Sequence, residues 1–265
     1  MENLKKKVVE SQPQNSQETP ADFQYESLEL SVSEMLKHGV HFGHKKSRWN
    51  PKMKPFTFGV KNNIHIIDLD KTLKCLEEAL EYLRGVVKNG GKVLLVGTKP
   101  QAKRLIEEAG KASGMPYVSS RWLGGTFSNF SEIKKRIKYL NEQESKLAAG
   151  EFEKYTKYEK GQIKKEIDKM NEKIGGIKKM ESLPQSVFVA DIKEDALAVK
   201  EARGARIPVL AIVDTNTDPS GVDFPIPGND DALSSIRYIV NIIVKEIKEA
   251  KPVAIPAAKK ENAKE

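Results

Sequence analysis

His38, His41 and His44 recur every three residues near the start of the chain. Imidazoles can ligate zinc, but a structural site takes four ligands and no cysteine lies nearby. Gly39 and Gly43, set between the histidines, read as a tight loop rather than a metal-bearing helix. The expectation is therefore no metal, which leaves the rings to packing or to another partner. A second candidate is GTKPQAK, 97–103, where Thr98 and Lys99 fall at a strand-to-helix turn. Helix amides there can hold a phosphate, but the plainer reading is a helix cap. Neither a Walker motif nor a G-x-G-x-x-G after a strand occurs. Asp214, Asp218, Asp223, Asp230 and Asp231 gather near the C-terminus. Such carboxylates can bind magnesium or act as bases. No Ser-His-Asp set accompanies them, and DTNTDP is rich in turn formers, so the structural reading prevails. Cys75 is the single cysteine, and it lies in an apolar helix pattern, as a packed residue would. No catalytic residue and no cofactor are expected.

The charge is more informative than any of these clusters. Residues 37–61 hold seven Lys+Arg and no acid, with Phe42, Trp49, Phe56 and Phe58 interleaved. Residues 131–180 hold 14 Lys+Arg against 9 Asp+Glu, a surplus of five. The two segments together carry +12, while the chain carries +8, so the remainder sums to −4. Positive charge concentrated in an aromatic-bearing loop is the footprint of a polyanion, and of nucleic acid in particular. Lysine and arginine neutralise phosphates, and aromatic rings stack on unpaired bases.

The scaffold that must hold these residues is α/β. Apolar strands are expected at 64–67, 92–97, 117–118, 186–190 and 208–213, alternating with amphipathic helices. That rhythm predicts a five-stranded parallel sheet covered on both faces, a three-layer α/β/α arrangement in the flavodoxin-like order 2-1-3-4-5. Residues 214–230 read as a long loop. Within 128–180, Ile133, Ile137, Leu140 and Leu147, then Ile163, Ile167, Met170 and Ile174, give one narrow apolar stripe on each of two helices. Gly150 lies between them, so the segment reads as an antiparallel helical hairpin, a coiled coil inserted into the α/β domain. The domain itself spans 29–127 and 181–250. Residues 1–28 read as a disordered extension and 251–265 as a flexible tail. No apolar run is long enough to span a membrane, and residues 1–20 lack the apolar core of a signal peptide.

Six stretches in order and in register carry a resemblance. They are KHGVHFGHKKSRWNPKM, IHIIDLDKT, VGTKPQA, SSRWLGGTFSNF, ARGARIPVLAIVDTNTDP and IPGNDDA. The chain closely resembles the bacterial small-subunit ribosomal protein S2 family over about 30–250. The resemblance implies a flavodoxin-like domain with an inserted helical hairpin, bound to small-subunit ribosomal RNA near the junction of head and body. It implies a structural, cytoplasmic protein of the ribosome, not a stable homo-oligomer. It also implies a part in recruiting the messenger-binding ribosomal protein built from repeated OB domains. The matching positions are His41, His44, Trp49 and Pro51, then Arg121, Trp122, Gly124, Gly125, Thr126 and Asn129. A third set is Asp214, Asn216, Asp218, Pro219, Pro227, Asn229 and Asp230. The chain departs from the family pattern in its N-terminal extension and at Pro100.

Residues and resemblance together nominate an RNA-binding set. It comprises His41, His44, Lys45, Lys46, Arg48, Trp49, Lys52 and Lys54 in the basic segment. Arg121, Trp122, Gly124, Gly125, Thr126 and Asn129 join it from the glycine-aromatic turn, and Lys134, Lys135, Arg136 and Lys138 from the first hairpin helix. Trp122 is open to two roles, as core anchor or stacking face. Two rival readings remain, an α/β nucleotide-binding enzyme using the strand-edge loops and a coiled-coil adaptor that binds another protein.

Overall fold

A computed structural model describes residues 29–250. The expected extension over 1–28 and tail over 251–265 lie outside the described residues. The main sheet has five parallel strands, β4 (Val93–Val96), β5 (Tyr117–Val118), β6 (Ser186–Val189), β7 (Val209–Val213) and β8 (Phe224–Pro227). Their spatial order is β5-β4-β6-β7-β8. Numbered along the chain, these five follow 2-1-3-4-5, the expected order, but with a different membership.

Two strands account for the difference. Ile64–Ile67, expected in the parallel sheet, is β3 of a separate antiparallel sheet, paired with β1 (Phe42–Lys45) and β2 (Thr57–Lys61) in the order β1-β3-β2. A tight turn at Asn62 and Asn63, both at positive φ, joins β2 to β3. The place left vacant in the parallel sheet is taken by β8, FPIP, inside the stretch expected to be a loop. Two prolines in four residues disguise it. An edge strand needs ladder donors on one side only, so Pro225 and Pro227 are tolerated there.

Both faces of the parallel sheet are buried, which explains its strands of continuous apolar residues. Leu95, Phe188, Leu210 and Ile212 pack on one face with helices α1 (Val32–Lys37), α2 (Leu69–Lys88), α3 (Pro100–Ser113) and α7 (Leu233–Glu249). Leu94, Val96, Val187 and Val213 pack on the other, with residues of α4 (Phe130–Ala148), α5 (Lys157–Ile174) and α6 (Ala196–Gly204). The helix ends follow local chemistry. Asp68 caps α2 by accepting from the amides of Asp70 and Lys71. Pro100 opens α3, and Gly114 closes it in the left-handed conformation. Gly150, at φ +73°, ends the first helix of the 128–180 segment, and Thr156 with Glu159 forms a capping box that starts the next.

After α5 the chain returns to the sheet edge. A Cβ at Gly176 would stand 2.2 Å from the Tyr117 carbonyl oxygen, so only glycine allows the approach. Among the described residues, no helix is long and apolar enough to cross a membrane.

Candidate nucleic-acid interface

The basic segment is irregular but firmly held. Asn50 caps a short 3-10 helix, Pro51–Phe56, by accepting from the Lys52 amide at 3.0 Å. Met53 from that helix is fully buried in the core on the α6 side. Lys71 donates to the Pro55 carbonyl at 2.6 Å, and Trp49 stacks on the buried ring of His65 with centroids 5.0 Å apart. The strongest tie comes from Thr215, just past β7. Its hydroxyl accepts from the His44 amide at 2.8 Å, and its carbonyl accepts from the Asn50 amide at 2.8 Å. A Cβ on Gly43 would meet the Thr215 side chain at 2.6 Å, so β1 lies directly on that residue. Beyond β8, the Asn229 amide donates to the Val40 carbonyl at 3.1 Å, closing the joint from the other side.

This anchoring leaves Lys45, Lys46, Arg48 and Lys54 exposed, and none forms an ion pair among the described residues. Lys52 is exposed too, but its ammonium meets Asp218 at 2.6 Å. That interaction, with the Ser220 amide, holds the Asp218 carboxyl down at about 2.

The three histidines of the basic segment part company. His38 stacks on Tyr238 with centroids 5.0 Å apart, and His41 lies against Phe42 at 4.0 Å. Burial lowers the His41 pKa, which favours its neutral form. His44 turns to the carboxyl edge of the parallel sheet. Its Nδ1 is 3.1 Å from Asp214 and its Nε2 is 3.1 Å from Asp231. The Nδ1 approach is off the N–H axis, so that contact is an ion pair rather than a well-formed hydrogen bond. Asp214 raises the His44 pKa against the effect of burial. His44 thus serves the protein's interior edge, not an outward face.

That edge is a closed ion network. Lys99 reaches Asp191 at 3.0 Å, Asp230 at 3.0 Å and Asp231 at 2.6 Å. Burial opposes its charge, but the three carboxylates outweigh burial and raise its pKa. Asp230 is pushed up to about 7, by burial first and then by Asp214 and Asp191. His44, Asp230 and Asp231 bring ligand atoms within 4.8 Å of one another, a chelating distance. Lys99 also reaches two of the three, Asp230 at 3.0 Å and Asp231 at 2.6 Å. The neighbouring strand-to-helix turn is filled in the same way. The Thr98 amide and hydroxyl donate to Asp195 at 3.1 and 2.9 Å, and burial holds that carboxyl at about 6.

The glycine-aromatic turn repeats the pattern. Glu201 accepts from the amides of Gly125 at 2.7 Å and Phe127 at 3.0 Å, so the amides that could cradle a phosphate hold an internal carboxylate. Gly125 sits at φ +92°, as the turn requires. Thr126 is buried, and its hydroxyl donates to the Leu123 carbonyl at 2.6 Å. Trp122 is 7% exposed and meets Phe127 edge-on at 5.0 Å, which makes it a core anchor. Of the turn residues proposed for RNA, Arg121, Gly124 and Asn129 stay exposed. On α4, Lys134, Lys135, Arg136 and Lys138 are all exposed, opposite the buried Ile133, Ile137 and Leu140. Lys135 pairs with Glu132 at 2.6 Å.

Comparison with known proteins follows the same lines as the geometry. Residues 35–250 match the family model described as ribosomal protein S2. The chain belongs to the ribosomal protein S2 family. Its relatives include small ribosomal subunit protein uS2 of Fusobacterium nucleatum subsp. nucleatum, 48% identical over 221 residues, covering 83% of this chain and 90% of the relative. The protein of the same name from Chlorobaculum tepidum is 48% identical over 226 residues, 85% of this chain and 91% of the relative. That of Roseiflexus sp. is 50% identical over 210 residues, 79% and 80%. Membership makes this S2 protein a structural ribosomal component and not an enzyme.

Sequence reasoning missed Thr215 as the clamp and Glu201 as the occupant of the glycine turn. It also left Phe58 and Lys61 out of the site. Phe58 is 80% exposed, the greatest exposure among the large apolar side chains of the described residues. Its place in an aromatic-basic segment was the signal that could have found it.

Proposed function

We propose that this S2 protein is a structural constituent of the small ribosomal subunit, as its relatives are named, and that it binds small-subunit ribosomal RNA in the cytoplasm. The observation that carries the RNA reading is the state of Lys45, Lys46, Arg48 and Lys54. They project from a backbone pinned by Thr215 and Asn229, and among the described residues none has a carboxylate within ion-pair distance. Cations held in place without counter-charges suit a phosphate backbone. Arg121 and the exposed row Lys134, Lys135, Arg136 and Lys138 add positive charge to the surface, with Lys135 and Lys138 paired to Glu132 and Glu142 on the same helix.

The domain plan that fits this role is a flavodoxin-like three-layer body over 29–127 and 181–250, with 128–180 inserted as an antiparallel coiled-coil hairpin. Its support is the burial of Ile133, Ile137 and Leu140 on α4 and of Ile167 and Ile174 on α5, in one apolar cluster. The Asn171 amide also donates to Glu144 across the two helices at 2.6 Å. Recruitment of the messenger-binding protein of repeated OB domains belongs to the same proposal, with the hairpin and the acidic remainder of the body as the surfaces offered.

The test is binding of the full chain to purified small-subunit RNA over a salt series. Replacing Lys45, Lys46, Arg48 and Lys135 by Ala is expected to weaken binding and to flatten the salt dependence by about 0.7–0.9 for each phosphate no longer neutralised. An unchanged slope would remove these residues from the interface. Saturable calorimetric binding of a nucleotide by the pure protein would instead favour the enzyme reading.

A further inference from the structure

The three-stranded sheet β1-β3-β2 presents an outer face that takes no part in the clamp around Thr215. On β3, His65 and Ile67 are buried while Ile64 and Ile66 are half-exposed, so the even positions face outward. Residues paired across strands share a face. Ile64 pairs with Lys45 on one side and Lys61 on the other, giving a rung with two ammonium groups. Ile66 pairs with Phe42 and Gly59, giving a second rung about 6.8 Å away at two residues of strand rise. Phe42 is 49% exposed there. A Cβ on Gly59 would meet nothing within 4 Å, so the floor beside it is clear.

Phe58 stands next to that floor. Thr57 pairs with Ile67 and Gly59 with Ile66, so Phe58 is the extra residue of a β-bulge and has no partner across the ladder. Bulges re-aim a side chain, and this one leaves the ring 80% exposed. The ring's base is fixed: the Thr57 hydroxyl donates to the Met53 carbonyl at 2.8 Å, and the Lys46 amide donates to the Asn63 carbonyl at 3.0 Å beside the turn. The occupant is indicated by charge. Residues 37–61, which carry this face, hold seven basic side chains and no acid.

The geometry points to this face as a stacking site for an unpaired RNA nucleotide, with the Phe58 ring against the base and Lys45 and Lys61 on the flanking phosphates. The inference rests on the RNA-binding reading and deepens it, because it requires single-stranded rather than duplex RNA at this face. Bases in a duplex cannot offer a ring face, whereas loops and bulges can.

Four variants of the full chain, three at Phe58 and one at Lys45, Lys46 and Arg48, decide it, each measured for binding to purified small-subunit RNA across a salt series. Phe58→Ala is expected to weaken binding roughly 5- to 150-fold, the loss of one stacked base at about 1–3 kcal/mol, with the salt slope unchanged. Phe58→Trp is expected to restore binding, and Phe58→Leu, which keeps apolar bulk without a ring, is not. Wild-type affinity in Phe58→Ala, with the Lys45, Lys46 and Arg48 variant still weakened, would overturn the stacking site and leave the RNA reading intact. If neither variant weakens binding, the RNA reading itself fails. Unchanged RNA binding together with lost capture of a small-subunit protein by Phe58→Ala would assign the ring to a protein contact and overturn the inference.

Discussion

The carboxyl edge of the parallel sheet and the basic segment laid over it use the same side chains to opposite ends. At the edge, Lys99, His44 and four aspartates face one another within ion-pair distance, and the glycine turn nearby is filled by Glu201. In the basic segment, Lys45, Lys46, Arg48 and Lys54 face outward without an ion-pair partner among the described residues. The difference teaches that residue type marks where chemistry is possible, and the location of the counter-charge decides whether that chemistry is internal. An edge whose charges are paired within the chain is architecture. A rigid surface whose charges are not is an interface.

The sharpest break of this comparison comes at Lys99. Lys99→Met leaves Asp191, Asp230 and Asp231 without their cation, and a buried pair broken from one side costs about 3–5 kcal/mol. Urea denaturation should show that loss, and a change within experimental scatter would mean the network is not held by this charge. Glu201→Ala comes next. It strands the Gly125 and Phe127 amides, at about 1–3 kcal/mol, and Glu201→Gln should recover part of the loss. The salt slope of RNA binding should stay as in the parent protein, because the turn's occupant is internal.

A smaller effect is set by pH. Asp230, raised from 3.8 to about 7, holds its proton more tightly folded than unfolded, so its contribution to stability falls as pH rises between those values. His44, raised by Asp214, acts in the same sense: what it contributes is present below its unfolded pKa of about 6.5 and is lost as pH rises through its higher folded value. Denaturant midpoints from pH 5 to 8 should decline, and Asp230→Asn should flatten the decline by at most about 1.4 kcal/mol per pH unit. Smallest of all, replacing Lys45, Lys46 and Arg48 by Ala should move stability by no more than about 0.5 kcal/mol each. A large loss of stability there would erase the contrast between the two regions.

Much of the fold was legible because its signals are local. VLLV, SVFV and VLAIV are short β-branched and apolar runs of the kind that form strands buried on both faces, and Asp68, Pro100, Gly114 and Gly150 mark helix ends by their own conformational preferences. Ile64–Ile67 was read as a strand but assigned to the wrong sheet, because its partners FGHK and TFGVK carry glycine and lysine instead of an apolar alternation. FPIP was read as loop because proline is counted as a breaker, a rule that fails at a sheet edge. The exposed lysines were legible from charge alone. Glu201 beneath the glycine turn and Thr215 behind β1 were not, since each lies more than seventy residues from the group it holds. Long-range pairing leaves no local trace in a single sequence. Trp122 shows the limit from the other side: its sequence context fits a stacking ring and a core anchor equally well, and only its burial against Phe127 separates them.

The prolines of β8 have one more consequence. Their missing N–H groups blunt that edge of the parallel sheet, and the opposite edge, two residues of β5, is covered where Gly176 lies against Tyr117. A partner therefore cannot extend the parallel sheet by adding a strand and reading its backbone. Recognition at the parallel sheet must run through side chains. With cations leading, assembly then answers to ionic strength.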